Sequence, residues 1–374
     1  MTQLLAYEQI YNNGEMLSVD LEEDTDRVKI EVMPGADGLY NVAKWENVED
    51  QVFEGAIRRK HTVCLLGRGA VITAGTGLPD VTPLVYREIG SDGKVISSEI
   101  VYEPKDGEDN LEDARVLRLS DGKLIIGLTS VAKTGEKYIP HPTIVITSNE
   151  NLATGLREHK TITDLGRGDQ TTPIDNNIDG KNTTFIDETT FMFRPEGTEN
   201  NHRLRVVKIN DGELSLQQND IILPHNIPWA TFRAGTTMPP VWLNDHEAIF
   251  PIHGIREDQN GILVYAIGSA RLFRSEDGTL SIDNISQEPL ITPDLFVSLV
   301  GTKEVELHPE LRQAVYCVSG SPVYDSSGNF QGLEFIVSRG DTLTFTVTEP
   351  KAKLTEGWPI NQEITPLNLL SVAA

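Results

Sequence analysis

Short apolar runs, each only a few residues long, alternate with polar positions along most of the chain. From about Arg27 to Val347 these runs are rich in Val, Ile, Thr, Phe and Tyr and are broken by Asp-Gly, Asn-Asp and Ser-Gly pairs. That pattern predicts β-strands joined by tight turns. Helical spacing of apolar residues is scarce, and the one stretch that carries it, NENLATGLREHKTI over 149–162, predicts a short helical turn in an outer loop. The chain reads as all-β.

The runs repeat. EGAIRRKHTVCLLGRG (54–69), EDARVLRLSDGKLIIGLTS (112–130), KNTTFIDETTFMFRPEG (181–197), MPPVWLNDHEAIFPIHG (238–254) and SGSPVYDSSGNFQGLEFIVSRG (319–340) each give a polar start, a strand, a turn, an apolar strand and a charged or small polar end. Further strand pairs lie between them, among them LVYREIGSDGKVISSEIVYEP and ILVYAIGSARLFRSEDGTLSI. A repeat plus the pair after it makes about four antiparallel strands, the size of one propeller blade, so the five copies predict a five-bladed β-propeller. The alternative is an all-β sandwich with charged strand ends at its rim. On the propeller reading, residues 1–50 form an N-terminal extension in which DRVKIEVMPGADGLYNVAKW supplies an outer or closing strand. Residues 51–348 form the propeller, and 349–374, with three prolines, a C-terminal wrap.

A propeller gives a reason for the charged run Glu112-Asp113-Ala114-Arg115, a poor opening for a core strand. The first strand of each blade lines the central channel, so the starts of the first strands and the ends of the second cluster round one water-filled funnel. Aligning the repeats brings Glu54, Asp113 and Lys181 together at the starts and Arg68, Arg194, His253 and Arg339 at the ends. Convergent carboxylates and cations in a concave site suit sugar chemistry or phosphate binding, since Arg offers a rigid fork to oxyanions. A plainer possibility is that the arginines only pair with the carboxylates and brace neighbouring blades.

Composition narrows the field. With 374 residues and 39% hydrophobic content the chain can bury a full-sized core, as one large domain or two. A formal charge of −24 repels nucleic acid and anionic membranes, and no basic patch overrides it. Cys64 and Cys317 lie in apolar runs, where buried free thiols and a reducing compartment are expected. The opening MTQLLAYEQIYNNGEM has no basic stretch followed by an apolar one, and no apolar run reaches bilayer length, so the expectation is a soluble cytoplasmic protein. Without a signal peptide, the sequon Asn182-Thr183-Thr184 carries little. His141, His202, His225 and His308 lack metal-ligand spacing, and no phosphate-binding GxxxxGK[ST] or nucleophile-elbow GxSxG motif occurs. No metal is expected. Trp45, Trp229 and Trp242 could stack on sugar rings but are expected in the core.

The motifs resemble those of glycoside hydrolase family 130, the β-mannoside phosphorylases and mannosidases, together with related β-1,2-mannosyl-transferring propellers. Glu112-Asp113-Ala114-Arg115 resembles the family's Glu-Asp-Pro-Arg. VFEGAI before CLLGRG resembles its Val-Phe-Asn-Pro-Gly-Ala strand and the arginine strand that follows, with Glu54 in place of Asn-Pro. KNTTFIDETTFMFRP resembles its Lys-Asp strand and His-Arg-Pro, and PPVWLNDHEAIFPIHG with VYAIGSARLF its Pro-Pro, Tyr-His-Gly and Tyr-x-x-Gly-Ala series. EPLITP and SRGDT resemble its Glu-Pro-Ile-Leu and Ala-Ala-Asp-Thr segments. Cys317-Val318-Ser319-Gly320 departs from its Phe-Pro-Thr-Gly, and GLYNVAKW is closer to the transferase-like relatives.

What the resemblance implies is a five-bladed propeller that breaks β-mannosidic bonds with inversion, phosphate serving as nucleophile and no cofactor taking part. Asp113 would be the general acid. Arg194, His253, Tyr265 and Lys181 would hold phosphate. Arg68, Glu54, Glu112, Arg115, Asp341 and Arg339 would lie at the sugar. A hydrolase of the same fold would need a base carboxylate, for which Glu54 is the candidate. A mannosyltransferase using a sugar-phosphate or nucleotide-sugar donor and a non-catalytic carbohydrate-binding propeller complete the alternatives. The expected partner is an oligosaccharide or sugar phosphate, with the linkage, the acceptor and the choice between monomer and homo-oligomer left open.

Overall fold

In a computed structural model the described residues are 19–20, 29–53, 56–69, 81–105, 107–119, 121–134, 137–161, 180–197, 201–210, 213–216, 220–295, 315–339, 343–356 and 358. They form five small antiparallel sheets, the blades of a five-bladed β-propeller. Two strands near the N-terminus, β1 (Val19–Asp20) and β2 (Lys29–Val32), precede the first blade, which consists of β3 (Tyr40–Phe53), β4 (Ala56–Arg68), β5 (Leu84–Ile89) and β6 (Val95–Tyr102). The second holds β7 (Asn110–Arg118), β8 (Leu124–Thr134), β9 (Lys137–Thr147) and β10 (Lys160–Thr161). The third holds β11 (Gly180–Phe185), β12 (Thr190–Pro195), β13 (Arg203–Asn210), β14 (Glu213–Leu216) and β15 (Ile221–Ile222). In the fourth are β16 (Arg233–Thr236), β17 (Val241–Trp242), β18 (Glu247–Glu257), β19 (Leu263–Arg274) and β20 (Leu280–Asp283).

The fifth blade closes the ring. It takes β21 (Val315–Tyr324), β22 (Phe330–Arg339) and β23 (Leu343–Pro350) from the end of the chain and β2 and β1 from its beginning, β2 pairing with β23 through Ile30 opposite Val347. The N-terminal segment thus adds β2 and β1 to the outer edge of the fifth blade, which joins the two ends of the described chain. Among the described residues helices are confined to a single 3-10 turn at Asn149–Asn151 with α1 (Leu152–Arg157), inside the stretch predicted to turn helically, and α2 (Lys351–Leu354). Among the described residues no helix is long and apolar enough to cross a membrane.

Why the strands read as nearly continuous apolar runs becomes clear from the packing. Each inner sheet is covered on both faces by its neighbours, so alternate residues of one strand enter different cores. In β8, Leu124, Ile126 and Leu128 join Trp45, Leu66 and Tyr86 between blades one and two, while Ile125 joins Phe185, Phe191 and Phe193 between blades two and three. In β18, Ala248, Phe250 and Ile252 pack towards the third blade and Ile249 towards the fifth. Val42 and Leu65 meet Ile336 across the closing seam. The tryptophans are structural. Trp229 lies against Gly254 and Gly268, where a Cβ would come within 2.5 Å and 2.3 Å of its ring, and its Nε1 donates to the Ser286 carbonyl. Trp45 Nε1 donates to Asn149 Oδ1 and Trp242 Nε1 to the Ile186 carbonyl. Both cysteines are buried thiols outside any disulfide.

The structure corrects the placement of one repeat. Val52 and Phe53 end β3 and Ala56 and Ile57 begin β4, at the opposite end of the hairpin from Tyr40 opposite Arg68, so the 54–69 repeat is the second strand of the blade and not the channel-lining one. The innermost strand of the first blade is β3, which begins at Tyr40, ahead of the boundary expected at residue 51. In the fourth blade β16 and β17 pair with the same edge of β18, so the inner position is shared by Arg233–Thr236 and by Val241–Trp242 from the segment 238–254 expected there. Period-2 alternation is the same for first and second strands of a blade, so the sequence pattern alone cannot rank them.

Candidate active site at the propeller axis

The inner strands β3, β7, β11 and β21 share an irregularity at the same place. Their register slips between Tyr40 and Ala43, Glu112 and Arg115, Lys181 and Thr184, and Cys317 and Ser319. In the first three, one residue of the slip has positive φ: Asn41 (49°), Asp113 (56°) and Asn182 (62°). Asn and Asp tolerate this left-handed conformation better than other non-glycine residues because their short polar side chains bond locally. A bulge re-aims the side chains around it. Here three successive blades aim Asn41, Asp113 and Asn182 into one axial cavity of about 440 Å³.

The cavity is lined by cations from four blades, Arg68 on β4, Arg115 on β7, Lys181 and Arg194 on β11 and β12, and Arg233 on β16. Its lining carboxylates among the described residues are two neighbours in sequence, Glu112 and Asp113. A second hollow of about 490 Å³ beside the fourth blade, between Pro224 and Pro228 and the 282–288 segment, contains no cation and no aromatic side chain. The chemistry is therefore sought at the axis.

Asp113 is held from two strands of the first blade. Asn41 Nδ2 donates to Asp113 Oδ1 at 2.7 Å, and Arg68 NH1 lies 4.0 Å from the same oxygen. The Arg68 guanidinium also spans to Glu112, with NH2 3.3 Å from Oε1, while Asn110 Nδ2 donates to that oxygen at 2.8 Å. Arg68 is fixed in turn by Nε donating to Thr82 Oγ1 and by its position over the Tyr40 ring. Burial pushes the Glu112 carboxyl above the ordinary carboxylate range, against the opposing pull of Arg68 and Lys181; the nearby Asp113 charge adds to the rise.

Arg115 is almost wholly buried and, among the described residues, has no carboxylate in hydrogen-bonding contact. Its NH1 donates to the Asp113 carbonyl, and Nε and NH2 donate to the carbonyls of Thr237 and Thr236. It thus ties the bulge of the second blade to the inner strand of the fourth. Opposite, the buried Arg194 donates to the Pro195 carbonyl and pairs with Glu196 at 3.1 Å. Arg233 Nε donates to Asn201 Oδ1.

His253 lies between these guanidiniums. Its Nδ1 is 3.1 Å from the Thr236 carbonyl oxygen, which can only accept, so Nδ1 carries the proton and Nε2 is left as an acceptor. Burial, then the charges of Arg194 and Arg115, push its pKa down to about 3, so the ring is neutral at physiological pH. Tyr265, its hydroxyl pushed up by burial, stands edge-on to Tyr316 with ring centroids 5.4 Å apart and completes the wall.

Of the residues singled out from sequence, Asp113, Glu112, Arg115, Arg68, Lys181, Arg194, His253 and Tyr265 meet in this cavity. Arg339 lies on β22 opposite Val315. Glu54 and Asp341 fall outside the described residues. Sequence reasoning missed Tyr40, Asn41, Asn182, Arg233 and Tyr316, which also line it. The first-blade residue equivalent to Asp113 by bulge and register is Asn41. A usable signal was present: LYNVA, LEDAR and GKNTT each put Asn or Asp in the third place, the types suited to a left-handed residue within a strand.

Neither a family model nor a curated protein sequence matches the chain. Solved structures do resemble it. A glycosyl hydrolase from Bacteroides ovatus superposes with a TM-score of 0.56 at 13% identity, covering 85% of each chain. A β-1,2-mannobiose phosphorylase from Listeria innocua, in complex with β-1,2-mannobiose, gives 0.52 at 11% identity over 92% of this chain and 96% of that one. A GH130 structure, described in connection with glycoside hydrolases that target β-1,2 mannosidic linkages in Candida mannan, gives 0.53 at 13% identity over 89% and 97%. At these identities the likeness establishes the shared propeller fold.

Proposed function

We propose that the protein is a carbohydrate-active enzyme, an inverting β-mannoside phosphorylase that releases mannose 1-phosphate from β-manno-oligosaccharides. The observation that carries this reading is the charge pattern of the axial cavity, where among the described residues one pair of adjacent carboxyls faces Lys181, Arg194 and Arg233. Hydrolysis with inversion needs a second, separated carboxylate to activate water, whereas phosphate is itself a nucleophile and needs cations to hold it. The names of two structural neighbours, a β-1,2-mannobiose phosphorylase and a GH130 structure tied to hydrolases of β-1,2 mannosidic linkages, support mannosides as the substrate class.

In this mechanism Arg194, Lys181, His253 and Tyr265 hold inorganic phosphate as co-substrate, with Arg233 adding charge beside them. A phosphate oxygen attacks the anomeric carbon as the bond from that carbon to the bridging oxygen breaks. Asp113 in its acid form gives a proton to the departing oxygen, leaving a free sugar hydroxyl and an α-linked sugar phosphate. Arg68 and Tyr40 bound the sugar side of the cavity. Aromatic Tyr265 and Tyr316 offer apolar faces to a pyranose ring.

Incubation with β-1,2-mannobiose in the presence and absence of phosphate tests the reading. Phosphate-dependent appearance of mannose 1-phosphate, and synthesis of the disaccharide from mannose 1-phosphate and mannose, is the expected result. Equal release of free mannose in phosphate-free buffer replaces phosphorolysis by hydrolysis, and transfer only from a nucleotide sugar replaces both by glycosyl transfer.

A further inference from the structure

Arg115 and His253 meet at one backbone oxygen. The Thr236 carbonyl accepts from His253 Nδ1 at 3.1 Å and from Arg115 NH2 at 3.4 Å. Arg115 Nε donates to the Thr237 carbonyl and NH1 to the Asp113 carbonyl. Each nitrogen of a guanidinium that is 1% exposed thus engages backbone, one at the bulge of the second blade and two at the end of β16 in the fourth. We propose that Arg115 sets the span between Asp113 and His253, and with it the place of the imidazole that holds phosphate. This rests on the phosphorylase reading above, in which Asp113 gives the proton and His253 holds the anion; Arg115 acts through Thr236 and His253 and is a positioning residue.

The packing carries a displacement of Arg115 to the ring. Among the described residues β16 has a strand partner, β18, on one edge only, so the bonds from Arg115 brace its other side. The His253 ring lies directly on the β16 backbone: a Cβ at Gly235 would come to 2.7 Å from Cε1 and 3.1 Å from Nε2. With ring and strand in contact and bonded through Thr236, moving β16 moves the imidazole. Thr236 Oγ1 also donates to the Asn182 carbonyl at 2.6 Å, which joins the bulge of the third blade to the same residue. At Asp113 the left-handed backbone offers its carbonyl to Arg115 NH1 while the side chain lines the cavity. An inverting displacement places nucleophile and proton donor on opposite sides of the anomeric carbon, so their separation has to match the substrate. A planar guanidinium with carbonyls at both ends is a stiff spacer; a lysine, one ammonium on a flexible stem, is not.

The test compares the wild type with Arg115→Lys, which keeps the charge and loses the fork. KM for phosphate should rise about tenfold or more and kcat should fall, with KM for β-1,2-mannobiose little changed. A raised KM for the sugar alone would put Arg115 at the sugar and overturn the proposal. A double-mutant cycle separates positioning from general bracing. In a His253→Ala background, Arg115→Lys should raise the phosphate KM by less than about twofold further, because the ring it places is gone; a full additional loss shows independent action and overturns the idea. Nitrogen NMR of labelled histidine needs no turnover. His253 should carry its proton on Nδ1 in the wild type, and Arg115→Lys should shift its resonances or mix the tautomers, whereas unchanged resonances overturn the proposal. If Arg115→Lys does not fold, the wild type still decides, since a proton on Nε2 in phosphate-free protein is incompatible with the shared Thr236 carbonyl. Absence of both phosphorolysis and phosphate binding in the wild type would refute the functional reading, while the NMR comparison would still show whether Arg115 places the ring.

Discussion

Asn41 and Asp113 occupy equivalent left-handed positions in neighbouring blades, and the amide of the first donates to the carboxylate of the second at 2.7 Å. The geometry of the proposed acid is therefore set from outside its own blade. A hydrogen bond to a charged group is worth roughly 1.5–3 kcal/mol. Asn41→Ala should therefore lower kcat by about tenfold to a hundredfold with KM for the sugar little changed. Steady-state kinetics on β-1,2-mannobiose checks this, with an unchanged circular dichroism spectrum as the control.

Asp113→Asn should abolish turnover and leave the fold intact, because the amide keeps the shape of the carboxyl but has no proton of suitable acidity for the leaving oxygen. Retention of more than a few per cent of wild-type activity would assign the acid elsewhere, with Glu112 the first to examine.

Replacing Arg194 or His253 with Ala should weaken phosphate binding far more than sugar binding, since the charge-assisted contacts to the oxyanion are those removed. His253 adds a pH signature. Its pKa of about 3 is held down by burial and by Arg194 and Arg115, and a bound phosphate dianion beside Nε2 would raise it. Phosphate binding near neutral pH should then be accompanied by proton uptake, measurable by calorimetry in buffers of different ionisation enthalpy. His253→Ala should lose that uptake.

Glu349 gives the fold its own pH dependence. On β23 its side chain is fully buried, both carboxyl oxygens lack a hydrogen-bond partner among the described residues, and Lys353 Nζ is 3.9 Å away. Burial pushes its pKa from the ordinary 4.5 to about 7, so the neutral form is favoured in the fold. That contribution is fully present below pH 4.5 and is lost as pH rises through about 7, a span of ~3 kcal/mol. Glu349→Gln should remove this slope and melt above the wild type at pH 8. Thermal denaturation at pH 5 and pH 8 measures it.

The close approach of β18 and β19 to Trp229 makes a packing prediction. A methyl group at Gly268 would lie 2.3 Å from the indole, with Ser286 Oγ at 2.7 Å. Gly268→Ala should destabilise the protein by about 1–3 kcal/mol, read as a lower Tm with activity per folded molecule retained.

By itself the sequence determined the all-β class, the number of blades and most of the axial chemistry. Strand alternation and turn residues are local, and repetition of the blade unit exposes the chemistry at equivalent positions, so Asp113, Lys181, Arg194 and His253 could be found by aligning runs. The order of strands within a blade depended on the tertiary structure, because β3 and β4 obey the same period-2 rule and only pairing distinguishes them. So did the recognition of Asn41 as the first-blade counterpart of Asp113 by bulge and register. Ring closure is non-local as well: Ile30 pairs with Val347 across almost the whole chain. The burial of Glu112 and the reach of Arg68 to it were decided only in three dimensions, since they come from strands that meet when the propeller closes.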